Sequence, residues 1–489
     1  MTELGRMTGA ERLPGRLMRA GDLGGPGAVS GAGEVSGAGE RSGIGRGAGA
    51  GAAPGAGYVP RSVPRPAPER HVRLGDVTDR PLLSETTAAD DPDRVYSRLR
   101  KQWGAVAPVD LEPGVPAWLV LGHAEVVAVM RDDRTFVKDP SIWGGHDDGL
   151  LGPHSGLRPL ISRAPQHTAI HQDGAEHMRL RAPIDDALEQ VDEIRTAVVV
   201  RRLCTMLIQR FEWRGRADLV AEYAAAVPFL VMSELAGYDP EDAQRVQEII
   251  QAIFETGPDA RELRKELGGI VRTHIARSRQ RTTDDIAGVL SRHPAFQDDL
   301  ERAQTLIALT SIASTSLLSW VAQTLTLVLT DERFSNRLRG GRLNIDDALD
   351  EVLWRSTPNP NMVPRYATRD VLLDDKLVEK GDAVVMSVHA ANHDPAILPD
   401  DEWEEIGNRA HLSFGGGPHA CPAPRLARVI ARIAAETLVR RLHVSFDGDP
   451  AGLEWVPSPW LRYPARLPVT FPVPRRTDEE GRTDHADER

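Results

Sequence analysis

Hydrophobic and polar positions in the middle of this 489-residue chain alternate mostly with the periodicity of α-helices. The longest apolar run, residues 303–330, contains no charged residue and is long enough to cross a membrane. However, Ser and Thr are frequent in this run, and no other part of the chain has the pattern of a membrane segment. We therefore predict a buried central helix here and no membrane span.

Strand patterns are few and short. The clearest are AWLVLG at residues 117–122, DAVVMSV at residues 382–388 and RLPVTFPV at residues 466–473. These segments predict a small sheet beside a large helical body. The expected fold class is therefore mainly α with a small β portion.

The two ends of the chain differ from its middle. Residues 1–72 are rich in Gly, Ala, Pro and Arg and contain the repetitive stretch VSGAGEVSGAGERSG. Such a segment has too little apolar surface to offset the conformational entropy lost on folding, so we predict a disordered extension. Residues 476–489 form a charged tail that is also predicted to be disordered. No linker-like break divides residues 73–475, which we expect to form one domain.

Charge and cysteine content narrow the functional classes. The net charge is −12 and no run of Lys or Arg resembles a nucleic-acid-binding patch, so no nucleic-acid partner is expected. The two cysteines, Cys204 and Cys421, cannot make a disulfide framework, which indicates a reducing compartment. The start of the chain lacks a secretory pattern, and we expect a cytoplasmic protein. Cys204 lies on an apolar helix face and is predicted to be a buried small hydrophobe.

The second cysteine stands in the stretch FGGGPHACPAPRLAR, residues 414–428, where a glycine-rich loop runs into an amphipathic helix. Pro422 suits the first helical turn, and a helix N-terminus stabilises a thiolate at Cys421. The glycines let the backbone pass close to a flat or bulky group. This arrangement suits metal ligation, with haem iron as a natural candidate, but a helix cap with a spare thiol has the same spacing.

The stretch FGGGPHAC resembles the haem-ligand loop of the cytochrome P450 family. Four further stretches resemble family segments and occur in the family's order. They are DGAEHMRLRAPI in helix C, VMSELAGYDPED, VPRYATRDVLL after helix K and AANHDP. The resemblance covers roughly residues 75–475 and is strongest to soluble actinobacterial members. It implies a haem-b thiolate protein with the mostly helical, triangular cytochrome P450 fold.

The resemblance also implies roles for individual residues. Cys421 matches the axial thiolate ligand, and Phe414 matches the residue that packs beside the thiolate and the haem. The positions that pair with the haem propionates are occupied by His177, Arg181, Arg365 and His419. Each of these polar residues, taken singly, is equally consistent with an ordinary solvated side chain.

The chain departs from the family at helix K. The Glu-x-x-Arg motif has Glu351 but places Trp354 where the arginine stands, and Arg355 follows one residue later. The downstream arginine that joins this pair in the family is replaced by Trp403. A buried glutamate without a partner is costly, so we expect Arg355 to pair with Glu351 or with Glu402.

A second departure lies in the central helix. The family's oxygen-activation segment has an acid followed by Thr, and these residues relay protons. Here the acid position is Ala313, and hydroxyls remain at Ser314 and Thr315, which are the candidate catalytic residues. Either a water chain through these hydroxyls carries protons, or the hydroxyls bond back to helix carbonyls. The sequence leaves both alternatives open.

Two function classes follow from the resemblance. The first is a monooxygenase of secondary metabolism that oxidises a small organic molecule with electrons from a ferredoxin and a ferredoxin reductase. The second is a catalytically impaired haem protein that senses a ligand or regulates a partner. A monomer is expected. Arg425, Arg428 and Arg432 form one helical stripe that is either a docking face for an acidic ferredoxin or a solvated face.

Two further patterns concern metal chemistry. Pro422 and Pro424 lack the backbone N–H groups that donate to the thiolate in the family, which predicts an unusually negative haem potential. The loop before helix C carries four histidines, but their spacing matches no metal motif and favours a polar loop. These histidines are His146, His154, His167 and His171.

Overall fold

The computed structural model describes residues 71–473 except 153–154, 159, 162, 164–165, 256–259, 343 and 398–408. Most of the predicted N-terminal extension and the whole predicted tail lie outside the described residues. So do Glu402, Trp403 and His154. The first strand begins at Val72, the last residue of the predicted extension.

Helices make up most of the structure, as the periodicity predicted. The described part of the chain contains the α-helices α1 Leu83–Ala88, α2 Pro92–Trp103, α3 His123–Arg131, α4 Gly174–Glu189, α5 Glu193–Gln209, α6 Ala226–Leu235, α7 Pro240–Glu255, α8 Ala260–Arg281, α9 Ile286–Arg292, α10 Asp299–Thr330, α11 Glu332–Arg339, α12 Ile345–Arg355, α13 Val388–Asn392 and α14 Pro424–Arg441.

The strands are short and form three small sheets. In chain order they are β1 Val72–Arg73, β2 Val106–Asp110, β3 Pro116–Val120, β4 Phe136–Val137, β5 Arg216–Asp218, β6 Arg365–Ala367, β7 Val371–Leu373, β8 Lys376–Val378, β9 Ala383–Met386, β10 Ser445–Phe446 and β11 Pro468–Thr470. The largest sheet has the order β2-β3-β9-β6-β4, and the others have the orders β1-β8-β7 and β10-β11-β5. Of the three predicted strand segments, one overlaps β3 and the others contain β9 and β11, so the expected fold class is confirmed.

The central helix α10 is 32 residues long and begins where the Asp298 carboxylate accepts a hydrogen bond from the Glu301 backbone N–H at 2.9 Å. It packs against α6, α8, α12 and α14. Among the described helices, α10 alone is long and apolar enough to cross a membrane, and 56% of its most apolar window is buried inside the protein. The helix matches the expected buried centre of the fold.

Helix α14 holds the cysteine loop against this centre. Leu426, Ile430 and Leu438 are buried and pack into the same core as Leu318 and Val321 of α10. The helix begins at Pro424, and Ala423 is its N-cap residue. The expectation that Pro422 opens the helix is therefore wrong, because Pro424 occupies the first helical position.

The arginine stripe predicted on α14 is also wrong at its middle member. Arg428 is only 15% exposed in its side chain and pairs with Asp350 of α12. A second carboxylate of α12, Asp346, lies 3.5 Å from the same guanidinium group. The guanidinium carbon lies 5.8 Å from the ring centroid of Trp320 on α10. Arg428 thus joins three helices instead of facing solvent.

Glu351 of α12 pairs with Arg355, as the sequence predicted, and also with Arg333, which was not predicted. Arg355 lies 3.6 Å from the Glu351 carboxylate, and Arg333 of α11 lies 3.2 Å from it. Burial raises the pKa of Glu351 in spite of both guanidinium groups. At the family's arginine position, the Trp354 ring packs edge-on against His411 with a centroid distance of 5.7 Å.

The pair between Arg428 and Asp350 predicts strong coupling between α12 and α14. Removing one partner leaves the other charge poorly compensated, so Arg428→Met and Asp350→Asn should each lower the free energy of unfolding by about 3 kcal/mol. The double variant should lose less than the sum of the two single losses. Urea unfolding of the four proteins measures this cycle. As a control, Arg425→Met removes a side chain that is 84% exposed and should cost less than about 1 kcal/mol. Additive losses would contradict the coupling.

Candidate functional site

The loop before α14 places Cys421 through an unusual backbone path. Gly415 and Gly417 have φ angles of +71° and +66°, a region that side chains with a Cβ rarely adopt. A Cβ on Gly417 would also lie 2.4 Å from the carbonyl oxygen of Met130. The loop closes when the Cys421 N–H donates to the Phe414 carbonyl oxygen at 2.8 Å. Cys421 ends half-buried, three residues before the first residue of α14.

Two opposing influences act on the Cys421 thiol. Burial raises its pKa above the ordinary cysteine value, whereas the Ala423 backbone N–H, which hydrogen-bonds the sulfur, and the Arg181 charge lower it. Burial is the larger influence. In the haem-free chain the desolvation of the sulfur thus outweighs the lowering influences, and Cys421 lies three residues ahead of the first residue of α14. The expected thiolate at Cys421 stays a prediction.

A polar cluster lies beside this loop and centres on Asp173, the N-cap residue of α4. The Asp173 carboxylate accepts a hydrogen bond from His419 Nε2 at 3.1 Å and one from the Lys138 backbone N–H at 2.5 Å. Arg365 Nη1 lies 3.6 Å from it. Burial alone would raise the pKa of Asp173, but these donors and charges lower it below the ordinary value.

The four propionate candidates come from separate parts of the chain, and three of them lie near this carboxylate, whereas Arg181 pairs with Asp185 at 2.7 Å. Arg365 is 1% exposed and donates to the carbonyl oxygens of Phe136 at 2.7 Å and Met130 at 3.3 Å. Arg181 donates to the Ala420 carbonyl oxygen at 3.0 Å, next to Cys421. The rings of His177 and His419 stack with a centroid distance of 4.1 Å.

Lys138 was missed by the sequence analysis. Its side chain is buried, and Nζ donates to the Val363 carbonyl oxygen at 3.1 Å. Burial and the nearby Arg365 charge lower its pKa to about 7. His171, from the histidine-rich loop, is also buried close enough to Lys138 for the lysine charge to lower its pKa. In the sequence, the position of Lys138 directly after a short apolar strand was the only pattern that could have indicated a buried lysine, and that pattern is weak.

The donors of this cluster outnumber the acceptors. Arg365, Lys138, His177 and His419 share the Asp173 carboxylate, and Arg181, beside the thiol, pairs with Asp185 at 2.7 Å. Buried atoms without a hydrogen-bond partner among the described residues include His177 Nδ1 and Arg365 Nε. Such a set has room for further anionic oxygens, and a thiol lies at hand as a soft metal ligand. The residues present therefore fit haem, which brings two carboxylates and an iron with an open axial position.

Comparison with known proteins agrees with this chemistry. The family model described as cytochrome P450 matches residues 344–452, from the residue before α12 to a point beyond α14. Cytochrome P450-SU2 of Streptomyces griseolus is 30% identical over 375 residues, which cover 73% of this chain and 90% of that protein. The chain belongs to the cytochrome P450 family. It is accordingly a haem-binding oxidoreductase of the monooxygenase type.

Two further proteins resemble this P450 over most of its length. The mycinamicin IV hydroxylase/epoxidase of Micromonospora griseorubida is 30% identical over 372 residues, covering 73% of this chain and 90% of that enzyme. The structure of CYP154C4 from Streptomyces sp. W2061 has a TM-score of 0.70 and 25% identity, covering 80% of this chain and 98% of that one. The expected P450 fold is confirmed.

In the central helix of this P450, the two candidate catalytic hydroxyls differ. Thr315 is buried, and its Oγ1 donates to the carbonyl oxygens of Ser311 at 3.1 Å and Ile312 at 3.2 Å. Ser314 is half-buried, and its hydroxyl makes no hydrogen bond to any described residue. Thr315 therefore fits the back-bonding alternative, and Ser314 is the hydroxyl that remains available to water.

Lys138 predicts a pH dependence of haem binding. Two propionates near the ammonium group should raise its pKa from about 7, so the haem-bound form holds a proton that the haem-free form has lost. Haem affinity should therefore fall as the pH rises above 7, by at most about tenfold per pH unit from this group. Haem transfer to apomyoglobin at pH 7 and pH 9 measures the affinity.

The matched variants for this test are Lys138→Met and Lys380→Met. Lys138→Met should bind haem more weakly at pH 7 and show a smaller fall between pH 7 and pH 9. Lys380 is exposed, so its replacement should leave both values unchanged. Equal pH dependence in the wild type and in Lys138→Met would contradict a contact between Lys138 and the propionates.

The prolines around Cys421 predict a low haem reduction potential. The Ala423 N–H hydrogen-bonds the sulfur, whereas Pro422 and Pro424 have no N–H to donate. Because hydrogen bonds to a ligating sulfur raise the potential, Pro422→Leu or Pro424→Ala should shift it upward. Potentiometry measures the shift, and the absorption of the carbon monoxide complex checks that the thiolate still ligates. Unchanged potentials in both variants would limit the prolines to a role in starting the helix.

Proposed function

We propose that this P450 is a cytoplasmic, monomeric monooxygenase that inserts oxygen from dioxygen into a small organic molecule of secondary metabolism. Its cofactor is haem b, and its electrons come from a ferredoxin through a ferredoxin reductase. The observation that supports this function is the convergence of Arg181, His177, His419, Arg365 and Lys138 beside Cys421. That set matches a thiolate-ligated cofactor with two carboxylates.

Each residue of the site has a distinct part in this proposal. Cys421 would supply the thiolate ligand, and the five donors would hold the two propionates and so orient the cofactor. Phe414 packs behind the loop, with ring centroids 5.8 Å from those of Trp320 and His411, and limits access of water to the sulfur. Haem bound through a cysteine thiolate supplies the oxygen chemistry, because the thiolate donates electron density that favours O–O cleavage.

The relatives support the reaction class. The mycinamicin enzyme carries hydroxylase and epoxidase in its name, and both reactions insert one oxygen atom into an organic substrate. We extend this reaction class to the present chain, and the substrate is proposed only as a small organic molecule.

The alanine at the family's acid position supports a second candidate, a haem protein that senses a ligand or regulates a partner. Position 313 is an alanine, and the Thr315 hydroxyl is engaged by two helix carbonyls. Of the two candidate hydroxyls, that of Ser314 is left to hold a water near the middle of α10. General acid catalysis contributes roughly 10²–10⁴-fold in enzymes, so a chain without the acid would turn over slowly.

The ferredoxin remains part of the proposal with a smaller docking surface than the sequence suggested. Arg428 is turned inward, which leaves Arg425 and Arg432 on the outer face of α14. Arg425 is 84% exposed and pairs with Glu193 at 3.0 Å, while Arg432 is 37% exposed. A variant that tests docking should therefore alter Arg425 and leave Arg428 in place.

One experiment separates the functions. The haem-loaded protein is reduced and exposed to carbon monoxide, and an absorption band typical of thiolate ligation is expected. The protein is then combined with NADPH, a surrogate ferredoxin and its reductase, and a panel of macrolides, steroids and aromatic acids. Oxygenated product identifies the enzyme. Ligand-induced spectral changes without product, in the presence of complete reduction, would support the sensing protein instead.

Restoring the missing acid should increase turnover. With a compound of the panel that gives product, Ala313→Asp is expected to raise the product formed per NADPH by at least about tenfold, because it adds a proton donor on α10. Ala313→Asn has nearly the same size and no acid, and should not raise it. Ser314→Ala should lower the wild-type yield. Equal yields in Ala313→Asp and Ala313→Asn would show that proton supply does not limit the reaction.

A further inference from the structure

Three potential metal ligands form a second cluster, which shares no residue with the cluster around Asp173. They are Asp93 in the first turn of α2, His389 in α13 and His393, the C-cap residue of α13. One ligand atom from each lies within 4.8 Å of the others. Asp93 Oδ1 is 2.7 Å from His389 Nε2 and 3.6 Å from His393 Nε2.

The two histidines are held in a fixed orientation. They stand four residues apart, so one turn of helix places both side chains on the same face. Their rings stack with a centroid distance of 4.5 Å. His393 Nδ1 hydrogen-bonds the His389 carbonyl oxygen at 2.9 Å, which sets the tautomer that leaves a lone pair on Nε2. In metal sites a bond of this kind orients the ligating imidazole.

The charges of the surroundings favour a cation. The Asp93 carboxylate places a negative charge directly at the Nε2 atoms of both imidazoles. Asp90 and Asp91 precede Asp93 in the chain and add negative charge. The opposing charge is Arg462, whose guanidinium donates to the Ala89 carbonyl oxygen at 2.8 Å. Arg100 also reaches α13, where its guanidinium donates to the Ala390 carbonyl oxygen at 2.7 Å and lies near the charge of Asp394. The four carboxylates thus outnumber the two guanidinium groups.

The distances between the ligand atoms are near those found around a tetrahedrally coordinated ion. Zinc binds histidine nitrogen and carboxylate oxygen at about 2.0–2.2 Å, which places its ligand atoms roughly 3.3 Å apart. The two observed separations of 2.7 Å and 3.6 Å bracket that value. The Asp93 side chain is 49% exposed and free to rotate, while His389 is fully buried and His393 is 18% exposed. The site is therefore rigid on one side and open to solvent on the other.

We propose that Asp93, His389 and His393 form a binding site for a divalent transition-metal ion of the zinc class, with water as the fourth ligand. The bound ion links α2 to α13, which are 296 residues apart in sequence at the Asp93–His389 contact. Its role is to stabilise the fold, because binding to the folded chain alone raises the free energy of unfolding. The site is independent of the haem function proposed above.

The test uses the haem-loaded protein after treatment with a chelator and transfer to metal-free buffer. Zn²⁺ binding is measured by isothermal titration calorimetry, and bound zinc is counted by mass spectrometry after dialysis. The ligand variants are His393→Ala and Asp93→Asn, because replacing the buried His389 risks misfolding. The control variants are His443→Ala, an exposed histidine beyond α14, and Asp91→Asn, which lowers the local charge without removing a proposed ligand.

We expect one zinc ion per wild-type chain, and a loss of affinity of at least about tenfold in both ligand variants. The controls should keep the stoichiometry and lose less than about threefold. Zn²⁺ should raise the thermal unfolding midpoint of the wild type and of the controls, but not of the ligand variants. The proposal is overturned if the wild type binds no zinc at 100 µM Zn²⁺, roughly the weak limit of specific sites. It is equally overturned if either ligand variant binds as tightly as the wild type.

Discussion

An excess of buried nitrogen donors over carboxylates is the constraint on which the functional part of the structure depends. Arg365 and Lys138 lie at the carboxylate of Asp173, while Arg181 pairs with Asp185 and donates to the Ala420 carbonyl oxygen. Like charges at this depth repel, and desolvation disfavours their charged forms. The lowered pKa of Lys138 records that cost. Additional anionic groups would compensate these positive charges. Haem would bring two carboxylates, and the thiol of Cys421 would offer its iron a ligand.

The loss of the helix-K arginine is offset by a different set of contacts. The family's network joins the helix to a later segment through a buried glutamate and two arginines. In this chain Glu351 pairs with Arg333 and Arg355, while Asp350 of the same helix pairs with Arg428 of α14. The second pair connects α12 directly to the helix that follows Cys421. The ion pair between Arg428 and Asp350 thus stabilises the helix that follows the ligand loop. Trp354 and His411 pack against each other at the family's arginine position.

The central helix combines a structural and a chemical role that compete for the same hydroxyl groups. Thr310, Thr315, Thr324 and Thr326 each donate to a carbonyl oxygen one turn earlier, which satisfies these hydroxyls in an apolar interior. A hydroxyl engaged in this way is a poor proton carrier. Without an acid at Ala313, the capacity to move protons depends on Ser314 and on water, and this separates an efficient oxygenase from a haem protein that mainly binds ligands.

Much of this protein was determined by its sequence alone. Periodicity predicted the helical body, the length of α10 and the short strands, because these depend on neighbours within one or two turns of chain. The resemblance of the glycine-rich loop and of the ordered motifs to the cytochrome P450 family predicted Cys421, His177, Arg181, Arg365 and His419 as a group, because matching positions in a family carry the same chemistry.

Only the tertiary structure decided which groups face one another across long separations. Lys138 joined the donor cluster because a short strand brought it beside Arg365. Arg428 faces inward because Asp350 lies across the contact between α12 and α14, although its helical position alone suggested an exposed stripe. The contact of Asp93 with His389 connects residues that no local pattern relates. Charge pairing and burial depend on which surfaces meet, and the spacing of residues along the chain does not specify that.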